Sequence, residues 1–369
     1  MLVIIYKIFP LIKIINYVAS HTILMYDNKL FKQFCKERNI KKSTIGGYSI
    51  ALKQYADFQD ESIEYLIKEA YCDEKNKIPL KDRKLKQRLL NFRDFLINSE
   101  LSPTTAKTYF SKVKTFYMHF EIEIPYLPTI QYDKDYETSY FDLPTKKHIR
   151  EALEIASADL KAVILFMSSS GTAKAETLSL TVDDFINATV KYHEGGSLKE
   201  VLNTLENKMD VVPTFYLKRI KTDKYYYTFC SPEASRMIVK YLKTRKNLKM
   251  EDQLFDFSNQ TLMSRFKQVN DSMGWGRKGN YQFFRTHTLR KFHASNIGLN
   301  TEYIDALQGR TKNQVHEAYI KTNPDKLKEI YKSAMHNVII GETEHDHIEK
   351  QEFNIIINVF LSGKEYNIQ

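Results

Sequence analysis

Arg285-Thr-His-Thr-Leu-Arg-Lys-Phe292 and Leu307-Gln-Gly-Arg-Thr-Lys-Asn-Gln-Val-His-Glu-Ala-Tyr319 frame the stretch from which the rest of the chain is read. It holds His287 and Arg290 three residues apart, then Gly309-Arg310, then Tyr319 nine residues after Arg310. With residues 288–296 helical, His287 and Arg290 project from the same side of the first turn. A phosphate there meets a guanidinium and an imidazole together, close to a helix N-terminus that already favours anions. Tyr319 offers an oxygen of the kind that serves as a nucleophile in covalent catalysis. Each residue alone has a plainer reading: His287 a satisfied histidine, Arg290 an ion-pair partner, Tyr319 one of 24 tyrosines. Their order and spacing carry the inference.

This stretch resembles the catalytic motifs of the tyrosine recombinases, the phage-integrase family. Their pattern is His-x-x-Arg, then Leu-Gly-His or a variant, then a tyrosine about one helix further on. His287-Thr-Leu-Arg290 fits the first part and Tyr319 falls at the nucleophile's offset. In Leu307-Gln-Gly-Arg310 an arginine stands where most members have histidine. That variant, with Leu289-Arg-Lys-Phe292, is most like the integrases of archaeal viruses and plasmids. The resemblance implies a mostly α fold with a small antiparallel β-sheet. It further implies two domains, a helical core-binding domain and an α+β catalytic domain, closing on DNA.

The composition agrees with a polyanionic partner without requiring one. Lys and Arg number 55 against 45 Asp and Glu, a net charge of +10. At 369 residues there is room for two cores. Three scattered cysteines, Cys35, Cys72 and Cys230, give neither a disulfide framework nor a metal spacing, which points to a reducing cytoplasm. His345 and His347 lack further ligands and are read as incidental. No cofactor or metal is expected.

Residues 1–25 are apolar but broken by Lys7, Pro10, Lys13 and Asn16. A membrane span wants about 20 largely uninterrupted apolar residues, so an extension is expected here rather than an anchor. Residues 26–128 read as the helical domain. Ile45, Tyr48, Leu52 and Tyr55 form one stripe behind the capping candidates Ser43 and Thr44; Leu85, Leu89, Phe92 and Leu96 form a second. A third helix starts with Ser102 as N-cap and Pro103 at the first helical position. A solvated basic face is the plain reading of its lysines. The resemblance makes Lys41, Lys42 and Lys107 candidate phosphate contacts. Residues 129–143 break the periodicity and read as a linker, 144–340 as the catalytic domain, and 341–369 as a tail.

Two further places matter to the chemistry. Residues 214–220 and 225–230 favour β-structure around Lys221-Thr-Asp-Lys224, a hairpin on which the resemblance puts the family's lysine at Lys221. Ser170-Gly-Thr-Ala-Lys-Ala-Glu-Thr-Leu178 aligns with the family's Thr-Gly-x-Arg-x-x-Glu-Leu through Gly171 and Glu176, leaving Ala173 where the first arginine belongs. Lys174 compensates, or the enzyme is substituted or decayed, or the register differs.

The function expected from the resemblance is a site-specific DNA recombinase with catalytic residues Lys221, His287, Arg290, Arg310 and Tyr319. Its partners are double-stranded attachment sites and further copies of itself, to dimer and tetramer, with no membrane. The apolar cluster at residues 355–361 is expected to dock on another protomer. Two other readings are a DNA-binding descendant that has lost cleavage and a type IB topoisomerase-like nicking enzyme.

Overall fold

In the computed structural model the described residues are 25–129, 139–310 and 323–341. Residues 1–24, Tyr319, and the tail with its 355–361 cluster lie outside them. The chain divides into two compact units, Met1–Glu137 and Thr138–Gln369.

The first unit has five described helices: α1 (Lys29–Glu37), α2 (Lys42–Gln59), α3 (Ile63–Lys75), α4 (Lys84–Ile97) and α5 (Pro103–His119). The Leu85 stripe is buried along α4, and Ser102 caps α5 by accepting from the Thr105 amide. α1 and α3 are additional to the three helices read from sequence, although Ser62 caps α3 ahead of a buried Ile63, Leu66, Ile67 and Ala70. α2 also begins earlier than Ser43 and Thr44 suggest. Lys41 is its N-cap, with no side-chain cap bond, and its carbonyl accepts the Thr44 and Ile45 amides. The core is aromatic: Phe34 meets Phe116 edge-on, and the buried Tyr55 and Tyr117 hydroxyls satisfy each other at 3.0 Å. Lys41, Lys42 and Lys107 all lie exposed on this unit.

The second unit is built around α7 (Ala158–Ser170), which comes after α6 (Lys146–Ile155), capped by Thr145. Residues 162–170 of α7 are all buried, because it packs against both α11 (Pro232–Thr244) and α13 (Thr286–Asn296). Between these come α8 (Lys174–Ser179), α9 (Val182–Ala188), α10 (Leu198–Glu206) and the strands β1 (Thr214–Arg219) and β2 (Lys224–Phe229). β1 and β2 pair antiparallel, with Arg219 opposite Lys224. Phe215 and Leu217 of β1 face inward in strand alternation, and Arg219 is next in that register. α12 (Asn259–Ser272), a hairpin of the two-residue strands β3 (Arg277–Lys278) and β4 (Tyr281–Gln282), α14 (Thr301–Leu307) and α15 (Pro324–Ala334) complete the described α-helices and strands. Among the described residues no helix is long and apolar enough to cross a membrane.

The corner at the end of α7 ties that helix to β2, α13 and α15. Gly171 caps α7 with φ +66°, the left-handed region that disfavours a side chain. Thr228 Oγ1 donates to the Ser170 carbonyl and Tyr331 Oη to that of Ser169, both at 3.0 Å. A Cβ on Gly171 would meet His293 Nδ1 at 2.5 Å and Gln308 Nε2 at 2.7 Å. Gly171→Ala is therefore expected to cost about 2–5 kcal/mol from left-handed strain plus overpacking, lowering Tm by several degrees. Gly195, φ +90° with open space around it, is the control. If Gly195→Ala lowers Tm as much as Gly171→Ala, the packing argument fails.

Candidate active site

His287, Arg290 and Arg310 come together, and each has a different structural setting. Arg285 is the N-cap of α13: its amide donates to the Thr288 hydroxyl at 3.1 Å, and its main-chain carbonyl accepts the Thr288 amide at 3.0 Å. His287 thus stands in the first turn, exposed, with Arg290 one turn on and buried. Protein packed beneath the His287 ring, then the charges of Arg285, Lys291, Arg290 and Arg310, push its pKa down to about 4. The ring also meets solvent, and an anion among the four cations lifts its pKa again.

Arg290 braces two separate segments. Its Nη1 donates to the Gly171 carbonyl at 2.6 Å and its Nη2 to the Gln308 carbonyl at 2.8 Å. Burial first, then repulsion from Arg219 and Arg310, bring its pKa down to about 10, so it stays charged at neutral pH. Two of its five N–H donors are engaged in this way, which leaves others for a ligand. Arg310 is exposed just after α14 and lies 3.8 Å from Asp305. Between them Gly309 turns with φ +60°, and a Cβ there would meet the Tyr226 ring at 2.5 Å, so the Gln-Gly-Arg turn rests directly on β2.

Lys221 sits exposed in the turn at residues 220–223, whose geometry is set by Asp223 at φ +59°. Ala173 is the N-cap of α8, and Lys174 is the first helical residue. Burial lowers the Lys174 pKa, and Lys174 makes no hydrogen bond or ion pair among the described residues. Lys41, Lys42 and Lys107 belong to the first unit, and Tyr319 lies outside the described residues.

Four participants carry no motif of their own in the sequence. Arg219 reaches the site from the inward face of β1, Gln308 and His293 form its floor, and the Tyr226 ring supports it. The sequence signal for Arg219 is its parity with Phe215 and Leu217; Gln308 lies inside Leu307-Gln-Gly-Arg310, and His293 and Tyr226 carry none. Unpartnered buried atoms gather here: Glu176 Oε2, Tyr226 Oη, Gln308 Oε1, His293 Nε2 and Arg285 Nε. Buried polar atoms of this kind are ones that a polar ligand can satisfy.

His293 has a consequence for stability. It is fully buried, its Nδ1 accepts from Gln308 Nε2 at 3.0 Å, and burial, then Arg290 and Arg310, lowers its pKa to about 3. The unfolded chain binds this proton near pH 6.5 and the folded chain does not. The stabilisation is therefore complete above pH 6.5 and lost as pH falls toward 3, at about 1.4 kcal/mol per pH unit. Urea unfolding between pH 6.5 and 5.5 is expected to show this slope added to that of His287, whose pKa is lowered in the same sense, and to show it reduced but not abolished in His293→Gln. Equal slopes would remove His293 as its source.

Among solved structures the chain is similar to a lambda integrase tetramer bound to a Holliday junction, with a TM-score of 0.52 and 12% identity over 78% of this chain and 74% of that one. A lambda integrase dimer bound to a COC' core site matches with a TM-score of 0.49 and 14% identity, covering 78% and 92%. The Tn1549 transposon integrase in complex with transposon right end DNA matches with a TM-score of 0.43 and 14% identity, covering 88% and 98%. No family model and no curated protein matches the chain. The mostly helical fold with its small antiparallel hairpin is thus the two-domain tyrosine recombinase architecture.

Proposed function

We propose that the protein is a site-specific DNA recombinase of the tyrosine family. The observation that carries this reading is the meeting of His287, Arg290 and Arg310, from two motifs of one sequence stretch, in a cationic cluster on that fold. Arg310 and the Leu289-Arg-Lys-Phe292 segment favour the branch found in archaeal viruses and plasmids.

In the proposed reaction the Tyr319 oxygen bonds to the scissile phosphorus while the bond to the 5′ oxygen breaks. The DNA 3′ end is left as a phosphotyrosyl ester and the 5′ hydroxyl departs with a proton. A second strand's 5′ hydroxyl reverses the step, so bond energy is conserved and no nucleotide cofactor is needed. Arg290 and Arg310 hold charge on the non-bridging oxygens, the contribution that usually dominates. Lys221 protonates the leaving oxygen. His287, neutral in the free protein, accepts the phenol proton once phosphate offsets its cationic neighbours.

The first unit is proposed as the core-binding domain, joined through residues 129–143. Lys41, Lys42 and Lys107 contact phosphates, and binding weakens steeply with salt. Pairing of sites makes a dimer and then a tetramer, with residues 341–369 passing to a neighbour. The setting is cytoplasmic, without a membrane.

The test is covalent capture. Incubated with duplex DNA bearing a site the protein selects, the wild type is expected to form a denaturant-resistant adduct in EDTA. Absence of adduct with retained DNA binding would favour the cleavage-deficient reading that Ala173 motivates. Relaxation of supercoils lacking any site would favour the topoisomerase-like one.

A further inference from the structure

The motif carries no charge at Ala173, and a guanidinium from another strand stands nearby. Glu176, three residues after Ala173, is buried, and its Oε1 accepts the Ile220 amide at 3.3 Å and faces Arg219 Nε at 3.9 Å. Arg219 Nη1 donates at 3.0 Å to the Gln308 carbonyl, the same oxygen that takes Arg290 Nη2 at 2.8 Å. The two guanidinium nitrogens therefore lie within about 6 Å of each other. Arg290 in turn holds the Gly171 carbonyl, two residues before Ala173, so the end of β1 and the Ala173 segment meet at one node.

Two cations on one carbonyl oxygen, beside a single buried carboxylate with an unpartnered Oε2, form an arrangement that an anion stabilises. Arg219 Nη2 has no partner among the described residues, and the side chain keeps 16% of its surface exposed. Lys174, by contrast, lacks any hydrogen bond or ion pair among the described residues to hold it toward this node, and as an ammonium it cannot bind two oxygens in a fork.

We propose that Arg219 supplies the phosphate-contacting guanidinium that this motif lacks at Ala173. The inference rests on the recombinase reading above. Arg219 and Arg290 would then straddle the non-bridging oxygens, with Glu176 orienting Arg219 from β1 as it would orient an arginine three residues before it on its own helix.

The probe is a nicked duplex that the wild-type protein selects from a random-sequence pool by covalent capture. It is made with either a phosphate or an uncharged methylphosphonate at the scissile position. Arg219→Ala is expected to slow adduct formation on the phosphate about 10²–10³-fold, with DNA affinity within a few-fold. On the methylphosphonate, where one charged oxygen is gone, the same substitution is expected to cost less than tenfold. Adding Ala173→Arg to Arg219→Ala is expected to restore at least tenfold of the rate. Arg219→Ala also loses the Gln308 contact and so weakens the fold, but a folding defect would depress both substrates alike and would not be rescued from position 173. An Arg219→Ala rate within threefold of wild type overturns the proposal, as does an equal loss on both substrates without rescue. A charge-dependent loss seen in Lys174→Ala instead assigns the role to Lys174. If the wild type captures no duplex at all, the recombinase reading itself fails, and this proposal with it.

Discussion

Tyr319→Phe is expected to bind DNA as the wild type does and to form no covalent adduct, a loss of at least about 10⁴-fold. The substitution removes one oxygen and keeps the ring, so binding and folding are little affected. Two tyrosines of the second unit, Tyr331 and Tyr226, are poor substitutes. Tyr331 is fully buried with its hydroxyl on the Ser169 carbonyl, and the Tyr226 hydroxyl is buried beneath the Gly309 turn with its pKa raised first by burial and next by Glu176. A phenol held neutral and closed off from solvent cannot approach a phosphodiester. Gel-shift and denaturing-gel measurements on the same samples separate the two properties. An adduct that persists in Tyr319→Phe would place the nucleophile elsewhere in the chain.

The second large effect is expected at Arg290, and it has two parts. Arg290→Ala withdraws a positive charge from the scissile phosphate, which costs about 10²–10³-fold or more in adduct rate. It also leaves the buried Gly171 carbonyl without its donor, at about 1–3 kcal/mol, while the Gln308 carbonyl loses one of its two donors and keeps Arg219 Nη1. Rate and Tm should therefore fall together. Arg290→Lys keeps the charge but cannot span both carbonyls, so more of the rate than of the stability should return. The rate is to be read well below the variant's own Tm. A folded Arg290→Ala protein with a rate within tenfold of wild type, or with an unchanged Tm, would contradict this account.

Much of the architecture is legible in the sequence because its local and global preferences agree. The Leu85 stripe, the Ser102-Pro103 start and the β-branched and aromatic run about Lys221 each form the element expected. α3 is as well marked as these, with Ser62 and an apolar stripe, and its signal is present although the sequence reading does not include it. The start of α2 differs because Ser43 and Thr44 are good caps in general, yet here the helix begins at Lys41 without a side-chain cap. At the site, spacing identifies His287, Arg290 and Arg310 because they belong to one continuous stretch. Arg219 and Gln308 act through long-range main-chain contacts, Arg219 Nη1 to the Gln308 carbonyl spanning 89 residues, and no periodicity encodes such a meeting.

The bracing of Gly171 and Gln308 by Arg290 also bears on how this sequence drifts over generations. A copy released from any demand to cut DNA would still be selected to fold, and folding alone preserves a side chain that ties two buried carbonyls together. Arginine at 290 is then a poor witness to activity in related copies of this chain. A phenol oxygen at 319, the nucleophile of the proposed reaction, is the more telling trace of a working enzyme.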